Sequence, residues 1–156
     1  MQLPQQLDRA GIARLIPHSG SMCLLERLES WDAQGIHCTT GTHRLPDNPL
    51  RTKGGLLAPN AIEYAAQAMA LHGGLIGAQD SEPSAGFLAS ARNVRMAVSR
   101  LDDIEGRLHV HAERMSGDAN QILYKFAVKD AAGRALAEGR AVVVLNTPLA
   151  LEARPS

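Results

Sequence analysis

The sequence carries no excess of charge. Sixteen basic residues balance sixteen acidic ones, so the electrostatic footprint of a nucleic-acid or anionic-membrane partner is missing. Close cysteine pairs are missing too: Cys23 and Cys38 lack the spacing of a zinc or redox motif. Both read as small buried hydrophobes in a reducing compartment. No apolar run reaches the length of a membrane span, because Glu63, Gln67 and His72 interrupt the best candidate. The first residues show no basic stretch followed by an apolar one, so no secretory signal is expected. Repeats and low-complexity segments are also absent. These absences point to a cytoplasmic protein of one domain, residues 1–156, long enough to bury a core without metal or disulfide staples.

What is present is organised around residues 54–78, a glycine pair, a proline and then a helix made largely of alanine. Pro59 suits a first helical position, where its preset φ helps and its missing N–H costs nothing. Glycines 73, 74 and 77 are expected to end the helix. Between Lys53 and His72 the only side chain normally charged at neutral pH is Glu63, in a helix otherwise apolar nearly all round and therefore expected to be buried. A lone carboxylate there is costly unless paired or shifted in pKa. It can serve as an acid near the positive end of the helix dipole, or it can be functional. Gln67, one turn on, shares its face and could orient it.

Residues 5–15 suit a short leading helix ending at Pro17. Residues 22–31 and 35–43 read as strands joined by a short loop at 32–34, and 44–53 as a loop rich in proline, Asp47 and Asn48. After the helix, 80–84 reads as a second loop and 86–99 as a strand. Residues 107–115 alternate cleanly, with Leu108, Val110 and Ala112 opposite Arg107, His109, His111 and Glu113. Residues 121–129 and 134–145 are two further strands joined through a turn with its glycine late, at Gly133. From Pro148 onward a frayed tail is expected. Strand runs on both sides of a single long helix predict an α+β domain with an antiparallel sheet wrapped around that helix.

Ile16-Pro17-His18, Leu24-Leu25-Glu26-Arg27, Glu63-Tyr64-Ala65-Ala66-Gln67-Ala68, Phe87-Leu88-Ala89 and residues 133–139 together resemble hotdog-fold 3-hydroxyacyl-carrier-protein dehydratases of the FabZ/FabA type. The resemblance covers about residues 12–146. Residues 47–51 and 62–69 look most like the dehydratases of aryl polyene clusters. It implies dehydration of 3-hydroxyacyl thioesters on an acyl carrier protein, with the carrier's phosphopantetheine as the only prosthetic group and no metal. It also implies a dimer, homomeric or with a related hotdog subunit, with each site built from a loop and a helix of different chains.

Such chemistry needs a base for the α-proton, an acid for the departing hydroxyl, and donors for the enolate-like oxygen. Glu63 matches the family's acid. Backbone N–H groups from Ala58 to Asn60 are expected to polarise the thioester carbonyl. The family's base is a histidine fourteen residues before the acid, where this chain has Pro49, beside Asn48. His43, twenty residues ahead, is the first choice, brought back if about six extra residues within 51–56 bulge. His18 is the rival. If neither reaches Glu63, the site resembles hotdog thioesterases, with Asn48 as the polar loop partner; a non-catalytic subunit is the remaining alternative. His109 and His111 share one strand face that could hold a metal, but with Arg107 and Glu113 beside them they read as solvated sheet surface; His72 reads as packing or helix termination, and His37 as a strand residue without a role. Arg51, Arg92 and Arg95 read as solvated or as facing a carrier phosphate.

Overall fold

The computed structural model describes residues 4–18, 20–79, 86–118 and 120–145. In chain order these form β1 (Leu7–Asp8), α1 (Arg9–Ala13), β2 (Arg27–Trp31), β3 (Gly35–Thr40), α2 (Ala61–Gln79), β4 (Gly86–Met96), β5 (Leu108–Gly117), β6 (Gln121–Lys129) and β7 (Ala135–Leu145). The seven strands make one antiparallel sheet in the order β1-β2-β3-β5-β6-β7-β4. Helix α2 packs against β3, β4, β5, β6 and β7, the sheet-around-helix arrangement expected from the strand and helix pattern and the hotdog fold that the resemblance implies.

Alternation decides which face of each strand meets the helix. Ile36 and Cys38 on β3, Leu108, Val110 and Ala112 on β5, and Ile122, Tyr124, Phe126 and Val128 on β6 are all buried. Their neighbours at the odd positions of β3 and β5 point to the other face. Against this inner face α2 sets Ala61, Tyr64, Ala65, Ala68, Met69, Leu71 and Leu75, each at most 1% exposed.

Several elements depart from expectation, and β3 and β4 end three residues early, at Thr40 and Met96. The leading segment is shorter than a helix over 5–15: α1 spans only Arg9–Ala13, with Asp8 as its N-cap, and Leu7 and Asp8 pair with Leu28 and Arg27. The strand expected over 22–31 is β2, which starts only at Arg27, while residues 20–22 form a turn of 3-10 helix. Helix α2 passes through glycines 73, 74 and 77 and runs to Gln79. Gly74 is there for closeness, since a Cβ on it would lie 2.7 Å from the Leu15 carbonyl oxygen. The expected loop at 80–84 and the tail from Pro148 lie outside the described residues.

Candidate active site

The loop between β3 and α2 is held at both ends. After β3 a 3-10 turn, Thr42–Arg44, buries Thr42 and His43. Residues 52–55 then close on themselves: Thr52 N–H donates to the Gly55 carbonyl and Gly55 N–H to that of Thr52, each at 3.0 Å. Gly55 has φ +98°, the left-handed region that favours glycine. The last stretch before the helix is tied to residues 99–102. Leu56 N–H donates to Asp102 Oδ1, Ala58 N–H to the Ser99 carbonyl, and Leu101 N–H to that of Leu56. Asp102 also accepts from Arg100 and faces Arg51 at 3.5 Å. Its bond from the Arg100 guanidinium holds the carboxyl far below the usual carboxylate range. Arg51 thus has a carboxylate partner, whereas Arg92 and Arg95 are exposed on β4.

The polar groups inside this loop form one network. The Leu24 carbonyl accepts from Thr40 Oγ1 at 2.6 Å and from Thr42 Oγ1 at 2.7 Å. The Tyr64 hydroxyl lies 2.9 Å from Thr42 Oγ1 and accepts from Asn48 Nδ2 at 3.0 Å. Asn48 Nδ2 also donates to the Thr42 carbonyl, and its Oδ1 accepts from Leu50 N–H. With Thr42 Oγ1 donating to Leu24, Tyr64 is the donor in the Thr42 contact. Burial raises the Tyr64 phenol above its ordinary pKa. Asn48 is therefore spent on holding the loop rather than offered to a substrate. Sequence reading missed Tyr64 and Thr42; the available signal was a hydroxyl within an alanine helix, which needs a partner when buried.

His43 is fully buried, and its Nε2 lies 2.8 Å from the Ile104 carbonyl. A carbonyl only accepts, so Nε2 carries the proton and Nδ1 presents a lone pair. Among the described residues, the buried side-chain polar atoms without a partner are Nδ1 of His43 and Nδ1 of His18, the two rival bases. Burial lowers the His43 pKa, partly opposed by the bond to Ile104, so the ring is neutral near pH 7. Glu63 is partly covered; no hydrogen bond or ion pair engages its side chain among the described residues. It shares with Ala66, Ala70 and Gly73 a stripe that the sheet leaves half-covered.

Other assignments change. Gln67 does not orient Glu63: its Oε1 accepts from Leu24 N–H at 2.8 Å and its Nε2 donates to the Met22 carbonyl at 2.6 Å, fastening residues 22–24 to the helix. The amides assigned to the thioester are occupied as well. Ala58 N–H goes to Ser99 and Asn60 N–H to the Leu57 carbonyl, while the Asn60 side chain also turns back to Leu57. His72 packs as expected, with Nε2 against the Asp32 carbonyl and Nδ1 against the Tyr124 hydroxyl, both at 2.7 Å.

Residues 10–152 match the family model of ApeP-like proteins, described as ApeP dehydratase. The dehydratase heterocomplex ApeI:P from Xenorhabdus doucetiae superposes with TM-score 0.80 at 25% identity, over 91% of this chain and 95% of that one. AziG of S. sahachiroi gives 0.63 at 18% identity, over 84% and 97%. A thioesterase of Haemophilus influenzae gives 0.66 at 13%, over 92% and 93%. These last two show the fold alone. No curated protein matches the chain by sequence.

Proposed function

The chain belongs to the ApeP-like dehydratase family, and from that premise we propose how its own residues carry out the dehydration. The substrate is a 3-hydroxyacyl thioester on the phosphopantetheine of an acyl carrier protein, in aryl polyene biosynthesis. His43 Nδ1 takes the proton from C2, the C3–O bond breaks, and the hydroxyl leaves as water with a proton from Glu63. A trans-2-enoyl thioester remains, and the proton on His43 returns to Glu63 to reset the site. Nothing in this sequence of steps calls for a cofactor beyond the carrier's own arm. The carrier substrate suits a cytoplasmic enzyme, and no helix among the described residues is long and apolar enough to cross a membrane.

The observation that carries this reading is the His43 ring: fixed through Nε2 by Ile104, neutral, with an unpartnered Nδ1. A buried lone pair without a partner is a cost, recovered when a substrate proton arrives. The half-covered stripe of Glu63, Ala66, Ala70 and Gly73 is the surface a second, related subunit covers, by analogy with the Xenorhabdus heterocomplex. The test is turnover of an acyl carrier substrate, alone and with a candidate partner. His43→Ala is expected to lose roughly 100-fold or more, the scale of general-base catalysis, while His18→Ala retains activity. The reverse order transfers the base to His18.

A further inference from the structure

Three imidazoles meet on the face of the sheet that looks away from α2. His37 on β3 pairs directly with His111 on β5, and His109 lies opposite the next outward residue of β3, Thr39. His37 Nε2 and His109 Nδ1 are 2.9 Å apart. The His37 and His111 rings stack with centroids 4.3 Å apart. One ring nitrogen from each of the three lies within 4.8 Å of the other two. As plain sheet surface this is a poor arrangement, since like charges on paired strands repel once the rings protonate.

We propose that His37, His109 and His111 form a binding site for a borderline divalent cation of the Zn²⁺ class, with three imidazole ligands and one position open to solvent. Imidazole suits zinc, copper and nickel. Zinc–nitrogen bonds of about 2.0–2.1 Å in tetrahedral geometry set ligand nitrogens about 3.3 Å apart, so the His37–His109 pair must open by only a few tenths of an ångström. In that pair one nitrogen holds a proton and the other a lone pair. Moving the proton to the donor ring's far nitrogen leaves two lone pairs facing one point. The stacked His111 turns a nitrogen to the same point by rotation about Cβ–Cγ. A groove of about 480 Å³, bordered by His37, His111, Trp31 and Glu113, leaves room for that motion and for a water as fourth ligand. Of the nearest charges, Lys129 is paired with His109 across β6 and is offset by Glu29, whose carboxylate accepts from Thr39.

The ion would strap β3 to β5 on the outer face, whereas Glu63 belongs to the helix on the inner face. It therefore takes no part in the dehydration. Titration of the full-length chain with ZnCl₂ by calorimetry, after chelator treatment, tests the site, with Co²⁺ visible absorption reporting ligand geometry. One ion per chain and the absorption of tetrahedral Co²⁺ are expected. His37→Asn and His109→Asn should each weaken binding by roughly tenfold or more, with cooperative thermal unfolding retained. His111→Gln serves as a third variant should either fail to fold. Absence of saturable binding, or undiminished binding in the folded variants, overturns the proposal. Turnover lost on chelation contradicts the separation from catalysis.

Discussion

The Tyr64 hydroxyl donates to Thr42 Oγ1 across 2.9 Å, so the residue after Glu63 is tied to the residue before His43. Helix and loop are thereby registered through two buried bonds to one hydroxyl, this one and the one from Asn48 Nδ2. Tyr64→Phe keeps the ring's packing and removes both ties, leaving Thr42 Oγ1 without its donor and Asn48 Nδ2 with only the Thr42 carbonyl as acceptor. A stability loss of about 1–3 kcal/mol is expected, read from denaturant unfolding. Turnover should fall by up to roughly 100-fold through misplacement of the loop, chiefly in kcat. A variant with unchanged kcat would show that the ties support the fold only.

The helix glycines should respond in opposite directions. A Cβ on Gly73 meets nothing within 4 Å, so Gly73→Ala should stabilise the free chain by up to about 1 kcal/mol through helix propensity. A Cβ on Gly74 would sit 2.7 Å from the Leu15 carbonyl oxygen, and Gly74→Ala should cost about 1–3 kcal/mol. Thermal melts of the pair give the comparison; equal shifts would mean that the Leu15 segment yields.

Stability should fall in mild acid. His43, His72 and His37 have pKa values lowered chiefly by burial, and His111 is brought down to about 4 by burial and then by His37, Lys129 and His109. The unfolded rings, near 6.5, bind protons that the folded ones refuse, so the stabilisation is whole above that pH and is lost on descending toward the folded values. Melting temperature should be nearly flat from pH 8 to 7 and drop steadily below about 6.5. A flat profile down to pH 5 would mean that these rings accept protons in the native state.

Much of the fold could be read from local pattern. The clean alternation of β5 and the turn at 130–133 needed no tertiary information. Glu63 stood out because a helix of alanines makes any acid conspicuous. What escaped was set by pairing across long sequence distance. Glycine propensity argued for an early end to α2, yet the close approach to Leu15 gives Gly74 a packing role that propensity cannot show. Gln67 was paired with Glu63 by helical spacing, but its amide is claimed by residues 22–24. His37 had no visible role because its neighbours His109 and His111 lie more than seventy positions away and only the β3–β5 register joins them. The occupied amide of Ala58, bonded to Ser99, was hidden for the same reason, whereas that of Asn60 is taken locally by the Leu57 carbonyl.

The central claim is that Glu63 delivers the proton with which water leaves. Intact mass spectrometry of a 3-hydroxyacyl carrier protein, incubated with the wild-type chain and with Glu63→Gln, addresses it directly, with the candidate second subunit present in both. Loss of one water with the wild type, abolished in Glu63→Gln at an essentially unchanged melting temperature, is the expected result. Loss of water undiminished in Glu63→Gln, or loss of the whole acyl group, would contradict the account.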